Sequence, residues 1–78
     1  MTELSFLIKI YYDKEIEKVV VEIPELGIAT QGKTFEEAIK NVKEAIEAYF
    51  EAFPEEKEYF EEMSKNFIGY SAITIKNG

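Results

Sequence analysis

The sequence predicts an α+β fold of two layers: a mixed four-stranded sheet with helices packed on one face, in the chain order βββααβ. Apolar residues alternate over residues 4–12, a three-and-four apolar spacing runs unbroken from Phe35 to Phe53, and alternation returns near the C-terminus. At 78 residues with 46% hydrophobic content, the chain is near the lower size at which one core holds a fold unaided, so one domain spanning 1–78 is expected.

In the first run, Leu4, Phe6, Ile8, Ile10 and Tyr12 alternate with Ser5, Leu7, Lys9 and Tyr11, which puts the first set toward the core of a strand. A polar segment, Asp13 to Lys18, separates it from Val19, Val20, Val21, Glu22 and Ile23, and the two runs should form an antiparallel hairpin. The connection has no Gly or Asn-Gly, so a loop longer than two residues is expected. Pro24 lacks the N–H a ladder needs and Gly27 tolerates unusual dihedrals, which ends the second strand and turns the chain. A short third strand over Ile28 to Gln31 follows.

Thr34 and Glu37 have capping-box spacing and should open a helix. Its apolar stripe is Phe35, Ala38, Ile39, Val42, Ala45, Ile46, Tyr49, Phe50 and Phe53, while Glu36, Lys40, Lys43, Glu44, Glu47 and Glu51 face solvent. Pro54 disfavours helical geometry at Phe53 and suits the first turn of a second helix over Pro54 to Lys65, with Tyr59, Phe60 and Met63 as a narrower stripe that Phe67 extends. After Gly69, Ile73 and Ile75 alternate with Ala72, Thr74 and Lys76, a final strand over Tyr70 to Lys76. A right-handed crossover through the helices would lay this strand parallel beside the first, in order 3-2-1-4.

Composition removes several function classes. The sequence has no cysteine and no histidine, which excludes disulfides, thiolate zinc sites and imidazole ligands. Without those residues, Ser5, Ser64, Ser71, Thr2, Thr30, Thr34 and Thr74 have no evident activating base, and nucleophilic catalysis is not expected. Adjacent acids such as Glu36-Glu37, Glu55-Glu56 and Glu61-Glu62 point about 100° apart on a helix and read as solvated surface rather than as a metal or acid–base pair. The four glycines at 27, 32, 69 and 78 form no phosphate loop. No catalytic residue, cofactor or metal is expected.

Nine lysines, no arginine and sixteen acids give a net charge of −7, which repels a phosphate backbone, so direct nucleic-acid binding is not expected. The same charge suits a basic protein partner and equally serves solubility. No apolar run reaches the length of a membrane helix and no basic, then apolar, leader opens the chain, so a cytoplasmic protein without membrane contact is expected. Charge supplied almost wholly by Glu and Lys leans thermophilic.

The stretch Ile23-Pro24-Glu25-Leu26, followed by Thr30-Gln31-Gly32, Thr34, Glu37-Ala38 and Lys43-Glu44-Ala45-Ile46, resembles the signature of HicB-like antitoxins over residues 4 to 53. The turn is one residue shorter than the family's common Pro-Glu-Leu-Pro-Gly-Cys, since Leu26 runs directly into Gly27-Ile28. The resemblance implies a truncated ribonuclease H-like fold and a partner, a small basic RNA-cleaving toxin held inactive. It does not imply the ribonuclease H chemistry, because the first strand has Lys9 among Phe6 to Ile10 where those enzymes place a metal-binding acid. A DNA-binding extension, carried by many members after the last strand, is not expected here. The sheet face opposite the helices would present Leu7, Tyr11 and Val20 among Lys9 and Glu22, and Leu7, Tyr11, Val20 and Glu22 are the expected partner-binding residues. Two readings of that face stand side by side, a partner-binding surface or a surface partly covered by a twin chain or by loops, and the alternative function is a homo-oligomeric scaffold or small-ligand binding module with no toxin.

Overall fold

The computed structural model describes residues 4–66, 68–69 and 71–76, and contains three strands and two helices: β1 (Lys9–Asp13), β2 (Lys18–Ile23), β3 (Ile28–Gly32), α1 (Phe35–Ala52) and α2 (Pro54–Lys65). The strands form one antiparallel sheet in the order β1-β2-β3. Both helices and the third strand agree with the sequence reading to within a residue or two, and the first two strands pair as the expected antiparallel hairpin.

The β1–β2 connection closes as a four-residue loop in which the Asp13 carboxylate accepts hydrogen bonds from the Glu15 N–H at 2.9 Å and the Ile16 N–H at 3.5 Å. Glu17 closes the loop at φ 54°, a left-handed conformation that glycine would adopt without a Cβ penalty. The second turn is hydrogen-bonded from Leu26 N–H to Ile23 C=O and from Gly27 N–H to Pro24 C=O, both at 3.2 Å, and Gly27 takes φ +66°.

Strand β1 starts five residues later than the alternation suggests. Lys9 pairs with Glu22, one residue before the end of β2, and Pro24 prevents β2 from running on. Residues 4–8 thus outrun their partner strand. Alternate residues of this segment still face inward, with Leu4, Phe6 and Ile8 packed against the core. Alternation reports the buried face, whereas pairing also needs a neighbour of equal length.

Thr34 caps α1 as expected: its Oγ1 accepts from the Glu37 N–H at 3.1 Å, and the Glu37 carboxylate reaches back to the Lys33 N–H at 3.2 Å. Pro54 sits at the first position of α2, and Tyr49 Oη donates to Glu56 Oε2 at 2.7 Å across the break between the helices. That hydrogen bond, together with partial burial, raises the Tyr49 phenol above its ordinary value. The core comprises Val21, Ile23, Leu26, Ala38, Val42, Phe50 and Phe60. Its aromatic end is a triangle in which Phe6 lies 6.0 Å from Phe50 and 5.4 Å from Phe60, and Phe50 lies 5.9 Å from Phe60. This triangle ties the N-terminal segment to both helices.

Two expectations are corrected. The described residues 71–76 carry no strand, so the sheet has three strands and the order 3-2-1-4 is not seen; Tyr70, like Phe67, lies outside the described residues. Ile73 and Ile75, the alternating apolar residues of the expected final strand, stand 85% and 77% exposed. The apolar stripe of α1 is also narrower than its sequence period. Phe35, in the first turn just after the chain leaves β3, and Phe53, at the break before Pro54, are both about half exposed.

Candidate partner-binding surface

Because Val21 and Ile23 lie in the core beneath α1, the alternate residues of β2 face away from the helices. The outer face is therefore built from cross-strand rows. Tyr11, Val20 and Gln31 form one row, and Lys9, Glu22 and Ala29 form the next. Neighbours in such rows have Cβ atoms about 4.5–5.5 Å apart, close enough for side chains to cover one another.

Tyr11, Val20 and Glu22 are thus brought together. Val20 is nearly covered between its cross-strand neighbours Tyr11 and Gln31, so it supports the face more than it presents contact area. Tyr11 remains 39% exposed, with the Lys9 Nζ 5.3 Å from its ring centroid. Partial burial, then the charge of Glu22 and a hydrogen bond to it, raise the Tyr11 phenol above its ordinary value of 10.0. The phenol therefore stays protonated at neutral pH, available as a donor beside a carboxylate.

Leu7 lies two residues before β1 on the same alternate side, half exposed, and its N–H donates to Glu25 Oε1 at 3.0 Å. This bond fastens the N-terminal segment to the Pro24–Gly27 turn. It also places an acid at the end of the apolar row. The face as a whole is a short aromatic and aliphatic strip bordered by Glu22 and Glu25 and by Lys9.

A second surface was not anticipated. Ile10 and Tyr12 alternate toward the helix side, opposite Val21 and Val19, yet they are 41% and 58% exposed. Helix α1 lies over β3 and β2, and α2 packs against α1, so no helix covers β1. The cause is width. A helix spans about 10 Å while three strands spaced about 4.8 Å apart need more. Counting strands against helices could have exposed this from sequence.

Among the described residues, no group of three or more acids converges as a metal site, and no helix is long and apolar enough to cross a membrane. The chain is 52% identical over 40 residues to "UPF0150 protein Ta0767" of Thermoplasma acidophilum, an alignment that takes in 50% of this chain and 58% of the relative. The chain thus spans little more than half the length of the curated relative it matches. No family model matches, and no solved structure matches. What the comparisons establish is a sequence relative of the UPF0150 type over half of an α+β chain.

Proposed function

We propose that this protein is a non-catalytic, antitoxin-like binding protein that occupies the RNA-cleaving surface of a small basic toxin in the cytoplasm. The observation that carries this reading is the outer sheet face, where an exposed, protonated Tyr11 and a half-exposed Leu7 are bordered by Glu22 and Glu25. An aromatic anchor beside carboxylates is the arrangement that a cationic partner would exploit, the ring supplying buried area and the acids supplying orientation. The net charge of −7 favours encounter with such a partner, and the UPF0150 relative is compatible with an antitoxin-type family.

The test is capture from native lysate, identification of the bound protein by mass spectrometry, and titration of its ribonuclease activity with the purified chain. The expected result is a small basic protein whose RNA cleavage is blocked at stoichiometric addition. Tyr11→Ala should speed dissociation, while added salt should slow association with little change in the off-rate. No inhibition at micromolar concentrations would overturn the reading. An unchanged off-rate in Tyr11→Ala would place the binding surface elsewhere.

A homo-oligomeric scaffold is the second reading. It draws on a different observation, the uncovered Ile10 and Tyr12 on the other side of β1.

A further inference from the structure

The exposed flank of α1 is not smooth. A groove of about 360 Å³ runs along its N-terminal half, and the described residues that line it are Phe35, Ile39 and Lys43 on one side and Glu36, Lys40 and Glu44 on the other. Each set is spaced by four residues, so the groove lies between two neighbouring i, i+4 ridges of a single helix. Four of the six residues are charged, yet the surface inside is mostly apolar. The stems of Lys and Glu line it while their charged ends reach water. Phe35 stands 54% exposed at one end, and Ile39 ties the floor to the core.

The packing of the helices explains why this groove is bare. Thr30 donates to the Ala38 C=O and Asn41 donates to the Gln31 C=O, which holds α1 to β3. At about 3.6 residues per turn, Ile39, Lys43 and Lys40 lie about 100–200° round the axis from Ala38, on the flank turned away from β3. Helix α2 meets α1 near its other end, through Phe60 against Phe50 and the Tyr49–Glu56 hydrogen bond.

We propose that this groove docks an amphipathic helix of a partner protein, whose aliphatic ridge fills the groove and whose flank carries a cation, an anion and a cation spaced four residues apart. A groove between i, i+4 ridges is the shape that the i, i+4 ridge of another helix enters, with the axes crossing at about −50°. The charges suit that occupant. Glu36, Lys40 and Glu44 alternate along one rim, and among the described residues neither they nor Lys43 form an ion pair, although Glu36 and Lys40 have the four-apart spacing that favours one. Two other occupants fit worse. Two-fold packing of this groove on a second copy would set Lys40 against Lys40 and Glu36 against Glu44 if antiparallel, or every charge against itself if parallel. Residues 71–76 alternate as a strand does and have no helical ridge to insert. The groove is on the helix side of the sheet, so the proposal stands apart from the Tyr11 face and from the antitoxin reading.

Titration calorimetry and amide chemical shifts on the full chain test this, with an alanine-rich helical peptide of about 20 residues as the probe. The peptide carries Leu along one i, i+4 ridge, flanked by Lys, Glu and Lys at the same spacing, and its control exchanges that flank for Glu, Lys and Glu. The expected result is saturable binding of the first peptide, with shifts centred on residues 35–44, and binding of the control weaker by roughly tenfold or more. Phe35→Asp should weaken the first peptide to a similar degree with unchanged far-ultraviolet circular dichroism, whereas Tyr11→Ala should leave its binding unaltered. Exchanging Glu36→Lys, Lys40→Glu and Glu44→Lys together should reverse the preference between the two peptides. The net charge of the chain stays negative in that variant, so bulk attraction cannot produce the reversal. No binding at about 1 mM peptide overturns the proposal. Binding that ignores Phe35→Asp, or that keeps its preference in the triple exchange, also overturns it, since the peptide then sits elsewhere. So does a mass of twice 9.0 kDa that Phe35→Asp abolishes, which would give the groove to a second copy.

Discussion

The two edges of the sheet are built on opposite principles. At β3, the helix that follows comes straight back across the strand: Gly32 has no side chain to hold α1 away, Thr30 Oγ1 donates to the Ala38 C=O at 3.4 Å, and Asn41 Nδ2 donates to the Gln31 C=O at 2.8 Å. A backbone acceptor on the edge strand is thereby occupied by a helix side chain. At β1 none of this happens, and four of its five residues are exposed. The difference teaches that helix cover is distributed by the chain's connections. A helix entered two residues after β3 must pack on β3 and β2, and the strand farthest from that entry is left bare.

Substitutions can break this comparison if the two edges turn out to be alike. The largest effect should come from the covered side, at Ile23, which is fully buried between the sheet and the helices. Ile23→Ala should destabilise the domain by about 2–5 kcal/mol by leaving a cavity the close-packed core cannot fill. A urea melt gives the value directly. A loss below about 1 kcal/mol would show a core loose enough to collapse around the gap.

Next comes Gly32. A Cβ there would meet the Ala38 backbone nitrogen at 2.5 Å and the Glu37 carbonyl carbon at 2.9 Å, and these are backbone atoms that cannot rotate aside. Gly32→Ala should cost about 1–3 kcal/mol by lifting α1 off β3. Gly69→Ala is the control, since nothing lies within 4 Å of its added Cβ, and its melt should stay within about 0.5 kcal/mol of the parent. Equal effects at the two positions would sink the close-approach account of the covered edge.

The contrast between the edges also marks how far the sequence could be read. Val21, Ile23, Ala38, Val42 and Phe50 were legible as core because period two and period three-and-four each report which side of an element is apolar. The cap at Thr34 and the break at Pro54 were legible because each has a local stereochemical cause. Ile10, Tyr12 and Phe35 were not. Their apolarity says that they can be buried, but whether a layer reaches them depends on helix width and crossing point, which no local pattern encodes. The segment 71–76 fails for a related reason: alternation identifies a strand-capable sequence without saying which edge, or which copy, completes it. On the outer face, Tyr11, Val20 and Glu22 were correctly placed together by parity, whereas the near-complete cover of Val20 depended on register with Gln31.

A smaller effect sharpens the account of how α1 is aimed at β3. Thr34 adopts φ −127° and ψ 164°, and its hydroxyl accepts the Glu37 N–H that would otherwise lack an intrahelical partner. Thr34→Ala should cost about 1 kcal/mol, and Thr34→Ser should retain most of the stability. Because Lys33 N–H is held by the Glu37 carboxylate, Glu37→Gln should keep the geometry and lose only the charge-assisted part of that bond. Thermal melts that rank the serine variant with the alanine one would show that the methyl group, not the hydroxyl, matters here.

The smallest effect should be on the bare edge. Tyr12 pairs with Val19 and is more than half exposed, so its ring covers little within one chain. Tyr12→Thr introduces a β-branched residue that also suits a strand, and removes an aromatic whose cross-strand contribution is at the low end of about 0.2–1 kcal/mol. Measured at dilution, where copies are apart, the urea midpoint should move by no more than about 0.5 kcal/mol in free energy, far less than for Ile23→Ala on the covered side. Repeating the melt at high protein concentration separates the two roles of the residue. If Tyr12 serves an edge completed by another copy, the parent gains stability with concentration and the variant gains less, because only the associated state binds the missing ring. If Tyr12→Thr already costs more than about 2 kcal/mol at dilution, the β1 edge is closed within the single chain and the contrast between the two edges fails.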